Sequence, residues 1–572
     1  MRNVRRRGHP VRYAVALGGL LAGFALLGAR AVFLQAFNAE YLQGQGNARH
    51  LRVVEDNSHR GMILDRNDEP LAVSTPVDSV WAHPGELGAE RAKWPALARA
   101  LGMPVRDLAQ LVSRHAGREF MYLRRHVTPD TAERIRALGV AGVALTREYR
   151  RYYPAGEVAG HVIGFTNIDD QGQEGLELAY DSWLRAIPGK KRVLKDRFGN
   201  IVETVESVSL PVPGKDLVLS LDRRIQYLAY RELKAAVAEH GARGGSAIVL
   251  DARTGEILAL ANEPGFNPNN RSRLDSQRFR NRAVTDVFEP GSTLKPFTVA
   301  AALESGKYAP DTPIDTAPGL LRVGHNTVRD IRNHGRLTVA EVIEKSSNVG
   351  ASKIAFGMGK QALWAMFRDV GFGAGTGIGL PGEASGQLSP PGRWVPIEQA
   401  TVSFGYGISV TALQLAHAYA ALANDGVLVP LTLTRRDQPV KGDPVMSVTT
   451  ARQVRAMLEL AVSADGTGSA ARVPHYRIAG KTGTVHKLSG GSYAENNYIA
   501  SFAGFAPASD PRLVMMVMID DPSGSAYFGG QIAAPVFSRV MAGALRLLNI
   551  SPDDLERPRQ HLVGLPPPER PL

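Results

Sequence analysis

The stretch FEPGSTLKPFTVA, Phe288 to Ala300, is mostly apolar and reads as a helix entering a core. It nevertheless carries Ser292 and Lys295, a hydroxyl and an amine three residues apart. Pro290-Gly291 makes a sharp approach to the helix, and Pro296 falls in its first turn, where a missing N–H costs little. Residues three apart on a helix are neighbours, so the spacing sets Lys295 beside the Ser292 hydroxyl. Burial and the positive end of the helix dipole both push a lysine below its ordinary ~10.4. A neutral amine is a competent base for a serine hydroxyl. Ser-x-x-Lys alone is a weak signal, because chance supplies about one in a chain this long.

Two further segments strengthen it. Ser346-Ser347-Asn348 lies at a break between helical stretches, where a hydroxyl and an amide can face one cleft; alone it reads rather as a helix cap or turn. Lys481-Thr482-Gly483-Thr484 reads as a strand whose glycine lets a ligand approach the backbone. Its lysine and threonine hydroxyls suit a carboxylate, although a lysine there can also guard a sheet edge.

Bulk properties set limits. The chain has 572 residues, enough for two or three domains, with 44% apolar and 21% charged residues and a net charge of +12. The basic excess suits an anionic surface, yet no Lys/Arg run interleaved with aromatics points to nucleic acid. Cysteine is absent, which excludes disulfides and cysteine-held metal. The first twelve residues carry five arginines and no acid, and an apolar stretch of bilayer length follows from Ala14. Apolar sequence continues past Arg30, so an uncleaved anchor fits better than a cleaved signal peptide, with Arg30 snorkelling to the outer interface. The arginine excess sets the N-terminus in the cytoplasm.

The rest divides into a turn-rich region and an α/β region. KDRFGNIVETV reads as a hairpin around Phe198-Gly199-Asn200, and PVPGKD as a boundary. Asp222 caps a helix that ends at Gly241. SAIVLDARTGEILALAN turns at Arg253-Thr254-Gly255, and YIASFAGFAPASDPRLVMMVMID is a second hairpin. PVFSRVMAGALRLL is a helix with Pro535 near its first turn. The expected order is a cytoplasmic N-terminus (1–12), a transmembrane anchor (13–35), a β-rich region (36–212), an α/β domain (213–550) and a Pro-rich tail (551–572). Strands from both ends of the α/β domain are expected to share one sheet.

STLK, SSN and KTGT, in this order and spacing, resemble the three-motif signature of penicillin-recognising serine enzymes. The anchor, RGMILDRNDEPLA, RYYPAGEVAGHVIG and GQEGLE resemble the pedestal of class B penicillin-binding proteins. IRNHGRLTVAEVIEKSSNVG, FGYGISVTALQLAHAYAALANDG and YFGGQIAAPVF resemble the division-specific, penicillin-binding protein 3 type. No glycosyltransferase domain fits before residue 215.

The resemblance implies a membrane-anchored α/β protein: one transmembrane helix, a β-rich pedestal of the dimerisation type, and a transpeptidase domain with an antiparallel sheet flanked by helices. It implies a septal peptidoglycan D,D-transpeptidase on the outer side of the inner membrane. Ser292 would attack the penultimate D-alanine, Lys295 would take its proton, Ser346 would relay a proton, and Asn348 would hold the stem backbone. Lys481, Thr482 and Thr484 would bind the terminal carboxylate, with Gly483 also in the substrate-binding strand and the N–H groups of Ser292 and Thr484 as oxyanion hole. Tyr406, Tyr527 and Phe528 would wall the cleft, or belong to the core. No cofactor or metal is implied. The implied partners are stem peptides, β-lactams, the membrane, a septal glycosyltransferase and other division proteins. An elongation-type enzyme, a non-catalytic sensor or scaffold and a tethered β-lactamase are the alternatives. Arg60, Gly61, Asp65 and Arg66 are expected to shape a partner-facing surface, with a folding role as the alternative. Glu289 is expected at the surface or in an ion pair.

Overall fold

The computed structural model describes residues 10–37, 51–195, 201–271, 276–489 and 492–555. The N-terminal helix Pro10–Val32 continues through a wider π turn, Phe33–Phe37. Residues Pro10–Ala36 form an apolar helical span of 27 residues with no buried side chain, long and apolar enough to cross a bilayer.

The chain divides into two compact units. The first comprises residues up to His59, Pro76–Arg150 and Ala186–Pro213. It holds an antiparallel sheet with Gly189–Lys195 between Leu51–Asp56 and Ile201–Ser209. Gly189–Lys195 and Ile201–Ser209 pair as the arms of the expected hairpin, whose tip at Phe198-Gly199-Asn200 lies outside the described residues. A separate core joins Val80 and Ala82 to Leu97, Leu101, Leu108, Leu123 and Ile135. Thr128 caps the helix Pro129–Ala137 by accepting from Thr131 N.

The second unit comprises Arg60–Thr75, Arg151–Arg185 and everything from Gly214. Its principal elements are α1 (Arg223–Glu239), β1 (Gly244–Asp251), β2 (Ile257–Glu263), α2 (Lys295–Glu304), α3 (Asn348–Met358), α4 (Ala412–Ala423), β3 (Ala479–Ser489), β4 (Ser492–Ala506), β5 (Leu513–Asp520) and α5 (Gly529–Leu547). The sheet runs β2-β1-β5-β4-β3, every pair antiparallel. Strands from both ends of the domain meet where β1 pairs with β5, Ala247 opposite Val517.

Successive side chains on a strand point to opposite faces. Ala247, Val249, Met515, Val517, Ala500 and Phe502 therefore pack on one side with α1 and α5. Ile248, Leu250, Val514, Met516, Ala503 and Phe505 pack on the other with α2 and α4. Burial on both faces is why these strands read as continuous apolar runs. Asp222 caps α1 by accepting from Arg224 N. Pro535 is not in the first turn of its helix: α5 begins at Gly529, so the proline is its seventh residue. The helix can start early because Gly529 has no Cβ, which would collide with the backbone of Gly483 and Ser501.

Arg60, Gly61 and Asp65 do not form a surface. Arg60 is fully buried, with Nε 2.7 Å from Glu177 Oε2 and Nη1 2.8 Å from Asp181 Oδ1. Arg151 Nε lies 2.6 Å from the other oxygen of Glu177. Asp65 is buried too and accepts from the N–H groups of Asn67, Glu69 and Arg223. A Cβ on Gly61 would strike the Lys215 carbonyl. These residues hold the fold; Arg66, half-buried, pairs weakly with Glu256 at 3.6 Å. The acidic partners of Arg60 lie more than a hundred positions away, beyond the reach of local pattern.

Candidate active site

Pro290-Gly291 delivers the chain into a tight 3₁₀ turn, Gly291–Leu294, that carries Ser292 and runs into α2. Gly291 has φ +55°, which a larger residue adopts only with strain, and donates its N–H to Gly405 O at 3.0 Å. Tyr419 on α4 pins the turn by donating to Thr293 O at 2.8 Å. Ser292 is half-buried, whereas Lys295, first residue of α2, has 0% exposure.

The amine does not bond the nucleophile directly, as helical spacing suggested. Lys295 Nζ donates to Ser346 O at 2.5 Å and to Ser346 Oγ at 3.2 Å, and Ser346 Oγ donates to Ser292 Oγ at 3.0 Å. Ser346 has φ +60°, a conformation rare for residues with a side chain and found where function demands strain. Asp330 holds this loop: its carboxylate accepts from Ser347 Oγ at 2.6 Å, Asn348 N at 2.5 Å and Val349 N at 3.0 Å. Ser347 caps α3 through Gly350 N. The Asn348 amide donates to Arg329 O at 3.1 Å. No local signal marked Asp330, which lies in an exposed loop well before the motif.

β3 is an edge strand and runs past the nucleophile turn. A Cβ on Gly483 would lie 2.3 Å from Ser501 Oγ, 3.0 Å from the Thr293 methyl and 3.1 Å from Pro290 O, so glycine here keeps the strand close to the nucleophile turn. Lys481 has 0% exposure, and burial pushes its pKa down to about 7. Burial, then the charge of Lys481, holds Lys295 well below its ordinary value, against the weaker pull of Asp330. The Thr482 hydroxyl donates to Thr467 Oγ1 at 3.0 Å, and Thr484 Oγ1 accepts from Gly529 N at 3.0 Å.

Aromatic side chains flank both ends. Tyr406 follows Gly405, which packs on Gly291, and its ring meets Tyr493 at 5.6 Å. Tyr527 stacks on Tyr498 at 4.3 Å and touches Phe528, which is 40% exposed. Tyr493 and Tyr498 lie on β4, paired with the strand that carries Lys481 to Thr484, and no motif of their own marks them. Glu289 is neither at the surface nor ion-paired among the described residues. It is buried, and its Oε1 accepts from Gly407 N at 2.7 Å and Tyr493 OH at 3.2 Å. Burial raises its pKa.

A buried lysine held below its ordinary pKa, two linked hydroxyls and a second buried lysine beside an open strand edge are suited to acylating a serine with a peptide carbonyl. Residues 245–542 match the penicillin binding protein transpeptidase domain, and residues 55–219 match the penicillin-binding protein dimerisation domain.

The chain belongs to the penicillin-binding proteins.

This penicillin-binding protein is 44% identical to the peptidoglycan D,D-transpeptidase FtsI of Escherichia coli K12, over 95% of this chain and 93% of that protein. Among solved structures, it resembles the transpeptidase domain of Burkholderia pseudomallei penicillin-binding protein 3, with 46% identity and a TM-score of 0.55. That match covers 59% of this chain and 97% of that one. It also resembles Mycobacterium tuberculosis penicillin-binding protein 3 complexed with aztreonam, at 30% identity and a TM-score of 0.68. Here 88% of this chain and 98% of that one are covered.

Proposed function

We propose that this protein is the membrane-anchored peptidoglycan D,D-transpeptidase of cell division, working through a serine acyl-enzyme and inhibited by β-lactams. The observation that carries the reading is the hydrogen-bonded chain Lys295–Ser346–Ser292 beside the open edge of β3. Likeness to FtsI over nearly the whole chain supports the division class.

In this reading a donor stem peptide adds to β3 as an extra strand, the usual way an exposed sheet edge binds an extended peptide. Lys481, Thr482 and Thr484 receive its terminal carboxylate. Ser292 Oγ attacks the carbonyl carbon of the penultimate D-alanine, and its proton passes through Ser346 to neutral Lys295. The N–H groups of Ser292 and Thr484 stabilise the oxyanion, a contribution that is large in such sites. The C–N bond then breaks, and terminal D-alanine leaves with the proton returned by Lys295. An acceptor amine attacks the ester, forms the cross-link and releases Ser292, again protonated. Asn348 orients the stem backbone, and Tyr406, Tyr527 and Phe528 wall the cleft.

The five early arginines put the N-terminus in the cytoplasm and the catalytic domain in the periplasm. Residues 36–212 serve as the pedestal and 213–550 as the transpeptidase domain, with a septal glycosyltransferase and other division proteins as partners. Fluorescent penicillin should label the protein at mid-cell, and Ser292→Ala should abolish the label. On the purified chain the penicillin adduct should outlast drug removal. Label along the side wall would overturn the division role. Release of hydrolysed drug within seconds over many turnovers would mean a β-lactamase.

A further inference from the structure

The hairpin formed by Leu320–Val323 and Asn326–Arg329 lies next to the catalytic loop. Its last residue, Arg329, accepts the Asn348 amide on its carbonyl, and the next, Asp330, anchors Ser347, Asn348 and Val349. The register pairs Leu320 with Arg329 and Arg322 with Thr327, so these four share one face. Val323 and Val328 point the other way and are buried at 8% and 5% exposure. The outward face therefore shows Arg322, Arg329, Thr327 and Leu320, the last 44% exposed. Ile331, 93% exposed, and exposed Arg332 follow this face directly in the chain.

Among the described residues none of these three arginines has an acidic partner within ion-pair distance. Elsewhere in the same unit exposed arginines such as Arg224, Arg368, Arg452 and Arg477 are paired with acids. The one acid in the stretch, Asp330, is spent on the loop behind it. Like charges gathered on a small hairpin repel unless a ligand neutralises them.

We propose that this face is a docking surface for the internal carboxylates of the stem peptide that Ser292 processes. The assignment rests on the transpeptidase reading. Guanidinium groups are suited to carboxylates, which they grip with two parallel hydrogen bonds. The exposed Leu320 and Ile331 supply apolar contact beside the guanidinium groups. Such a strip, one hydrogen bond from the catalytic loop, selects an anionic strand and steers it toward β3.

The test uses the full chain in detergent with soluble uncross-linked glycan strands. One set keeps its internal stem carboxylates free, and the other has them amidated, with the terminal D-alanine carboxylate intact in both. Arg322→Glu combined with Arg332→Glu should raise KM for the free-carboxylate strands about tenfold, the scale of a few exposed charge contacts. kcat, the amidated strands and the rate of penicillin acylation should change little. Arg322→Lys with Arg332→Lys should retain most of the discrimination. Normal penicillin acylation certifies that the variant is folded. Equal KM changes on both substrates, or none, would overturn the docking assignment. A variant that cross-links both substrates normally but cannot support division would give the face to a protein partner instead. A wild-type chain that binds penicillin yet cross-links neither substrate would overturn the transpeptidase reading, and this assignment with it.

Discussion

Lys295 meets Ser292 through Ser346: its amine bonds both oxygens of Ser346, and the Ser346 hydroxyl bonds the nucleophile at 3.0 Å. The proton path is thus built from two motifs 51 residues apart, not from the helical neighbours alone. Ser346→Ala should slow penicillin acylation about a hundredfold, within the range that positioned proton transfer contributes. Lys295→Arg should slow it at least as much, because a guanidinium stays protonated. Stopped-flow acylation rates decide the matter. A Ser346→Ala variant with near-normal acylation would return the proton to a direct Ser292–Lys295 contact.

The two buried lysines give the site opposite pH demands. Lys295 must be neutral, so activity falls as pH drops through its depressed pKa. Lys481 must be charged to hold a carboxylate, so binding weakens as pH rises past about 7 in the free enzyme. kcat/KM for a carboxylate-bearing substrate should be bell-shaped, with both limbs belonging to the coupled pair. Lys481 also makes stability rise with pH from about 7 toward its ordinary ~10.4, because the unfolded chain binds the extra proton in that window. Thermal melts of Lys481→Met across pH should lose that part of the slope.

Asp330→Ala removes three hydrogen bonds at the start of α3. It should cost about 1–3 kcal/mol of stability, the scale for leaving buried donors unpaired. Acylation should slow as well, because Ser346 depends on that loop for its strained conformation. Asp330→Asn, which keeps acceptors on one oxygen, should be milder on both. Melting temperature and acylation rate measured together check the pairing of effects.

Glu289→Ala strands Gly407 N and Tyr493 OH, which it now satisfies from three residues before the nucleophile. Loss of about 1–3 kcal/mol is expected. Glu289→Gln keeps an acceptor and should cost less than half as much. Chemical denaturation of the two variants separates these outcomes; equal losses would show that charge, not hydrogen bonding, is what matters there.

Arg60→Ala leaves Glu177 and Asp181 short of a cation in a buried site, and removal of one partner from such a pair costs about 3–5 kcal/mol. Calorimetry should show a large fall in melting temperature. If the protein remained fully stable and only division failed, the surface role for Arg60 would stand after all.

The sequence alone carried the apolar span, the strand pairs around Arg253-Thr254-Gly255 and around Ser509-Asp510, the Asp222 cap, and the three motifs with their order. Each of these is written in neighbouring residues: a run, a period of two, a turn dipeptide, a cap, a short string of hydroxyls and amines. Tertiary structure alone decided which groups meet. It set Ser346 between Lys295 and Ser292, gave Asp330 the catalytic loop to hold, buried Glu289 under Tyr493, and closed Arg60 on Glu177 and Asp181. It also left Arg322 and Arg329 together on an open face, with exposed Arg332 just beyond them. The physical reason is range. Propensity and periodicity act over a few residues, whereas an ion pair or a depressed pKa depends on whichever atoms folding brings within a few ångströms and on the water it removes.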